Sequence, residues 1–163
     1  NQIESTGFSP IDNNMSTHAA SFPYYLQLAE HGENWCFSHI DLGDDGFTLS
    51  NAIQDGDTIA ISDGSFQDQY GMAAWALEGL GPSGRIVGSA TAPGTAKDQS
   101  AYRSKLTGIY CILLCAKKLC EYFKITQGSI ELGCDGQAVL DKAFDYVSII
   151  KIEDSNYVLL FAI

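Results

Sequence analysis

Tyr102, Leu106, Ile109, Leu113, Ala116, Cys120 and Phe123 recur at alternating spacings of four and three. That is the apolar stripe of a long amphipathic helix, and it constrains the fold more than any other feature of the chain. Asp98 or Ser100 is placed to cap its start. Segments with the two-residue alternation of half-buried strands stand on either side, Thr58–Ser62 before it and Ser129–Cys134 after it. Strands flanking one long helix make the chain α/β.

Two further strands precede the helix. Gly71–Leu77 and Arg85–Thr91 follow Thr58–Ser62 at hairpin spacing, so the first three strands read as an antiparallel meander. The linker Gly79-Leu80-Gly81-Pro82-Ser83-Gly84 satisfies the dinucleotide pattern GxGxxG literally. A strand follows it where a helix is required, so it reads as a hairpin loop. After the last strand a short helix is predicted from about Gln137 to Phe144. Residues 1–57 read as an acidic, irregular lead-in, broken at Asn13-Asn14, Phe22-Pro23 and Gly43-Asp44-Asp45-Gly46. Within it Tyr24 to Ala29 suits a short helix, and Trp35 and Phe37 are candidates to dock it onto the later domain. Asp41-Leu42-Gly43-Asp44-Asp45-Gly46 begins like a calcium loop, but Ala52 stands where the twelfth-position Glu is needed.

The net charge is −11 and unevenly placed: residues 1–57 hold nine acids and no Lys or Arg, while residues 58–163 are near neutral. Phosphate contacts supply much of the affinity of nucleic-acid binders, which are usually basic, so the total argues against tight autonomous duplex binding. Five of the nine bases (Arg103, Lys105, Lys117, Lys118 and Lys124) belong to the long helix. Cys36, Cys111, Cys115, Cys120 and Cys134 match no zinc spacing, and they read as small buried thiols in a reducing compartment. No secretory segment and no apolar stretch of about 20 residues is visible, so an intracellular location off the membrane is expected. With no initiating Met and an end inside the apolar run Tyr157–Ile163, the chain reads as an excerpt from a longer frame.

Two Asp-Gly strings then stand out. Thr58-Ile59-Ala60-Ile61-Ser62-Asp63-Gly64-Ser65 runs an apolar strand into Asp-Gly-Ser, and Ile130-Glu131-Leu132-Gly133-Cys134-Asp135-Gly136 ends a second strand in Asp-Gly. Between them Ser100-Ala101-Tyr102-Arg103-Ser104-Lys105 opens the helix. In this order the strings resemble the ribonuclease H-like domain of retroelement polyproteins, over residues 58–145. The resemblance implies a mixed sheet with three antiparallel strands, a long helix, a fourth strand parallel to the first and a short helix. The fold would be incomplete at the C-terminus of a truncated domain spanning 58–163. A right-handed crossover would bring the two strand ends together. It also implies that an Asp, a helical Glu and a second Asp hold two Mg²⁺ ions and cleave the RNA strand of RNA–DNA hybrids.

On that resemblance Asp63 and Asp135 are the metal ligands, and Gly64 lets the chain turn away and a nucleic-acid backbone approach. Lys105 occupies the position of the family's Glu. An ammonium about 4 Å from a carboxylate attracts it by roughly 4 kcal/mol at an effective dielectric near 20, before desolvation. Lys105 would then compete with a cation; alternatively its side chain extends to solvent and leaves the metal site merely weak. A fourth family carboxylate is not identifiable, because Glu153-Asp154 only precedes an apolar run. Asp98 reads as a cap rather than a replacement ligand. The expected function is therefore a ribonuclease H-like domain, catalytically impaired, with weak affinity for RNA–DNA hybrid. The alternatives are a non-catalytic interaction module reusing the fold, or an active nuclease completed by carboxylates from elsewhere.

Overall fold

The alternation over residues 58–91 becomes a meander at the centre of a five-stranded mixed sheet. The computed structural model describes residues 20–29, 32–136, 139 and 141. In chain order its elements are helix α1 (Phe22–Gln27), strand β1 (His39–Leu42), helix α2 (Phe47–Asp55), strands β2 (Thr58–Gln67), β3 (Tyr70–Glu78) and β4 (Arg85–Thr91), helix α3 (Ala101–Phe123) and strand β5 (Ile130–Cys134). The strand order is β1-β4-β3-β2-β5. β2, β3 and β4 are antiparallel neighbours, whereas β2 and β5 are parallel, with Thr58 opposite Ile130 and Ser62 opposite Cys134. No helix among the described residues is long and apolar enough to cross a membrane.

Local chemistry explains the boundaries. Asp68 and Gln69 both take positive φ, the backbone of a two-residue hairpin turn between β2 and β3. The glycine-rich linker from Gly79 to Gly84 joins β3 to β4, as a hairpin loop should. Ser100 caps α3, its Oγ accepting the Arg103 amide at 3.1 Å. Asp98 is the other expected cap. It instead closes the preceding loop, accepting from the Thr95 amide at 2.9 Å and the Thr95 hydroxyl at 2.7 Å.

The irregular reading of residues 1–57 does not hold where that segment is described. α1 buries Phe22 and Leu26 on one side, four residues apart, with Pro23 in its first turn. Phe22 lies 5.4 Å from the ring of Tyr122 and 5.8 Å from that of Phe123, both on α3. Trp35 stacks on Tyr110 at 5.8 Å, and β1 pairs antiparallel with β4 as an edge strand. The Gly43–Gly46 cluster starts α2 rather than only breaking the chain. The Asp44 carboxylate accepts from the amides of Gly46 at 2.7 Å and Thr48 at 3.2 Å. α1 and β1 span only six and four residues, too few for a hydrophobic period to show.

α3 packs on one face of the sheet, against β2 and β3. The residues it turns to the sheet are not the stripe read from the sequence. Ser104, Gly108, Cys111, Cys115 and Leu119 are fully buried or nearly so. A Cβ on Gly108 would lie 2.8 Å from the Cβ of Ser62 on β2. At 3.6 residues per turn this small-residue line lies roughly a third of a turn from the predicted one. Leu106 and Ile109 of the predicted stripe form a second cluster with Val139, flanked by Leu113, Leu132 and Cys134. The helix predicted over 137–144 lies outside the described residues except for Val139 and Asp141, and Glu153-Asp154 lies outside them altogether.

Candidate carboxylate–lysine site

The parallel pairing of β2 and β5 sets the site. Ser62 opposite Cys134 is their last paired step, so Asp63 comes next on β2 and Asp135 directly follows the end of β5. Strands in a sheet lie about 4.8 Å apart, so a separation of 72 positions in sequence becomes adjacency. Both residues are exposed.

β2 does not end at Asp63-Gly64. It continues to Gln67, with Asp63 opposite Ala74 and Gly64 opposite Ala73. Gly64 does not take a left-handed φ, and it is not what turns the chain. Its missing side chain serves another need. A Cβ there would lie 2.3 Å from the Lys105 amide nitrogen and 2.5 Å from the Ser104 carbonyl carbon. Gly64 thus lets the backbone of α3 cross directly against β2, and that crossing delivers Lys105 to the strand ends.

Lys105 pairs with a carboxylate rather than extending to solvent. Its Nζ donates to Asp135 Oδ1 at 2.5 Å, with a fifth of the lysine side chain exposed against 64% of the aspartate's. Its stem runs close by Gly136, where a Cβ would meet Lys105 Cδ at 3.1 Å. The hydrogen bond to Asp135 raises the Lys105 pKa above the usual 10.5; partial desolvation opposes this, and the nearby charge of Asp63 adds to it. Asp63 has one carboxylate oxygen on the Gly64 amide at 2.7 Å. The arrangement is one ion pair, Lys105 from α3 with Asp135. Asp63 lies one residue from Ser62 and Gly64, which both face α3, so it points to the opposite face of β2 and contributes only its nearby charge.

A pair of carboxylate oxygens suits a hard cation such as Mg²⁺. The donor set here does not fit a two-metal centre, because Asp135 is already held by Lys105. Among the described residues, no group of three or more His, Cys, Asp or Glu is arranged to hold a metal ion. No catalytic step through Mg²⁺ follows from this arrangement.

Arg103 was visible in the sequence only as part of the helix opening, yet it is 4% exposed. Its Nε donates to the Pro93 carbonyl, and its guanidinium lies beside Gly94 and Asp98. Gln99 Nε2 adds a bond to the Ala92 carbonyl at 3.0 Å. Together these side chains fix the loop that feeds α3, so Arg103 supports Lys105 indirectly. Its spacing four residues before Thr107, which is also buried, was the signal that position 103 faces inward. The five cysteines are free thiols; Cys36, Cys111 and Cys115 are fully buried. Burial pushes the Cys115 thiol well above its ordinary range, so it stays protonated.

The ion pair has a definite pH signature. A lysine whose pKa is raised on folding contributes stability that is complete below 10.5 and fades as pH climbs through the raised value. Asp135→Asn removes the partner. The stability difference between parent and variant should therefore be constant up to about 10.5 and shrink above it. The effect is small, because the aspartate is largely exposed. Urea denaturation across the alkaline range measures it, and a difference unchanged through the highest pH would show that Lys105 does not depend on Asp135.

No protein-family model, curated protein or solved structure matches the chain.

Proposed function

We propose that the chain is a ribonuclease H-like domain of retroelement origin whose nuclease chemistry is impaired. The observation that carries this reading is the Lys105–Asp135 ion pair at the ends of the two parallel strands. Strand order adds support, since β4-β3-β2-β5 with a parallel β2–β5 pair and a helix between them is the order that the resemblance implies. On this reading Asp63 and Asp135 descend from metal ligands, and the RNA–DNA hybrid is the ancestral substrate. Lys105 supplies from within the protein the positive charge that a cation would bring. The exposed sheet face described below favours a second reading, a non-catalytic interaction module reusing the fold.

The test uses Lys105→Glu, which replaces the ammonium with the family's carboxylate. Three crowded carboxylates should repel one another, raise at least one of their pKa values and lower the melting temperature in metal-free buffer. Millimolar Mg²⁺ should restore the variant, because a ligand that binds the folded state alone stabilises it, and should leave the parent unchanged. In parallel, parent protein given labelled RNA–DNA hybrid in Mg²⁺ or Mn²⁺ should release no more product than Asp63→Asn. Melting that is identical with and without Lys105 and with and without Mg²⁺ would remove the basis for a latent metal site. Turnover lost on Asp63→Asn would instead establish an active nuclease.

A further inference from the structure

Among the described residues, none packs over the face of the sheet opposite α3 at Ile59, Ile61 and Met72. Cross-strand pairing puts Val87, Ala76, Ile61 and Gly133 in one row across β4, β3, β2 and β5. Ile59 flanks that row on β2 and Met72 stands further along β3. Ile59, Ile61 and Met72 are 55%, 57% and 50% exposed, values unusual for large apolar side chains at the centre of a sheet. Ile59, Ile61 and Ala76 line one apolar patch, and exposed apolar patches mark interaction sites. Beside it a groove of about 380 Å³ lies between Ile59, Ile61, Ala76 and Leu80 and is edged by Asp57 and Glu78.

Charge around the patch narrows the occupant. Glu131 pairs with Ile59 across β5–β2, and Asp63 follows Ile61 by two residues on the same face. Asp41 lies opposite Val87 at the other side. With Asp57 and Glu78 these make an acidic rim, in which Arg85 is already paired with Glu78 at 3.1 Å. A second copy would set acid against acid on molecules that each carry a net charge of −11. Strand addition is also excluded at this place, because β2 and β3 are hydrogen-bonded on both sides. An apolar patch inside an acidic rim is complementary to a helix with an apolar stripe and basic flanks.

We propose that this face docks an amphipathic helix of a basic partner protein. Its apolar side chains lie over Ile59, Ile61 and Ala76, with one large side chain entering the groove near Leu80. Its Lys or Arg residues reach Asp57, Asp63 and Glu131. The assignment rests on exposure and charge at this face, and it stands whether or not the chain descends from a nuclease.

The probe is a fluorescein-labelled Leu/Lys helical peptide of about 14 residues, roughly 20 Å long, titrated by anisotropy against the whole chain. The double variant Ile59→Ser/Ile61→Ser leaves every charge in place and alters only exposed side chains, so its melting should match the parent's. Its affinity should fall at least about tenfold, and Asp63→Asn/Glu131→Gln should also weaken binding. A Leu/Glu peptide of the same length should not bind. Equal affinity of parent and Ile59→Ser/Ile61→Ser would reduce the attraction to net charge and overturn the proposal, as would absence of binding. A concentration-dependent dimer abolished by the same double variant would make a second copy the occupant and overturn it too. If the double variant melts lower, the comparison passes to Asp63→Asn/Glu131→Gln, and unchanged affinity there counts against the proposal.

Discussion

Gly64→Ala should destabilise the fold by about 3 kcal/mol, the upper end of what overpacking costs. The added methyl carbon would sit 2.3 Å from the Lys105 amide nitrogen and 2.5 Å from the Ser104 carbonyl carbon, and both of those atoms are backbone. No rotamer change relieves such a clash, so α3 or β2 has to move. β2 is fixed by β3 on one side and β5 on the other. α3 is fixed by Ser104, Gly108 and Cys111, all buried against the sheet. Chemical denaturation of parent and variant gives the difference. A loss below about 1 kcal/mol would mean that the helix lifts off without resistance, contrary to close packing. The consequence reaches the site, because a lifted helix carries Lys105 away from Asp135. The alkaline stability signature of that pair should weaken in the same variant.

That coupling also explains which parts of the molecule were legible in the sequence. The meander was readable because β3 and the first half of β2 alternate and the turns carry Gly or a tight pair of polar residues. β4 matches its predicted span, Arg85–Thr91. That the ends of β2 and β5 lie side by side was legible through the strand–helix–strand order. Less readable was which side of α3 meets the sheet. Leu106, Ile109 and Leu113 advertise one flank, yet Ser104, Gly108, Cys111 and Cys115 occupy the other. Hydrophobicity gives small residues little weight, although they are what allows a helix backbone to approach a strand closely. The reading of Gly64 as a turn failed for the same reason. An Asp-Gly dipeptide is a turn signal only when nothing else needs the missing Cβ, and here the helix needs it. The pairing of Lys105 could not be decided from sequence, since a lysine at the border of a buried stripe has a stem long enough for either outcome. The 2.5 Å contact with Asp135 decides it.

Phe22→Ala should cost about 3–4 kcal/mol, within the range for truncating a buried aromatic side chain. Phe22 is 0% exposed and stands against Tyr122, Phe123 and Tyr25, with its ring also closing over Gly46 at the start of α2. Truncation would leave a cavity bounded by three elements that are distant in sequence. It would also free α1, which is otherwise tied to α3 by Tyr25 Oη donating to Glu121 at 3.1 Å and Tyr122 Oη donating to the Ala20 carbonyl at 2.7 Å. Those two bonds are exposed and contribute little on their own. Lys118 and Glu33, 3.2 Å apart and largely buried, add a further link between α3 and the segment before β1. Thermal and urea unfolding of the whole chain provide the measurement. If residues 22–57 were a detachable acidic tail, Phe22→Ala would leave the main transition within about 0.5 kcal/mol of the parent, as surface changes do. A loss of the expected size makes the segment part of the same cooperative core as the sheet. Truncating it to isolate the carboxylate–lysine site would then unfold the scaffold that holds Lys105 against Asp135.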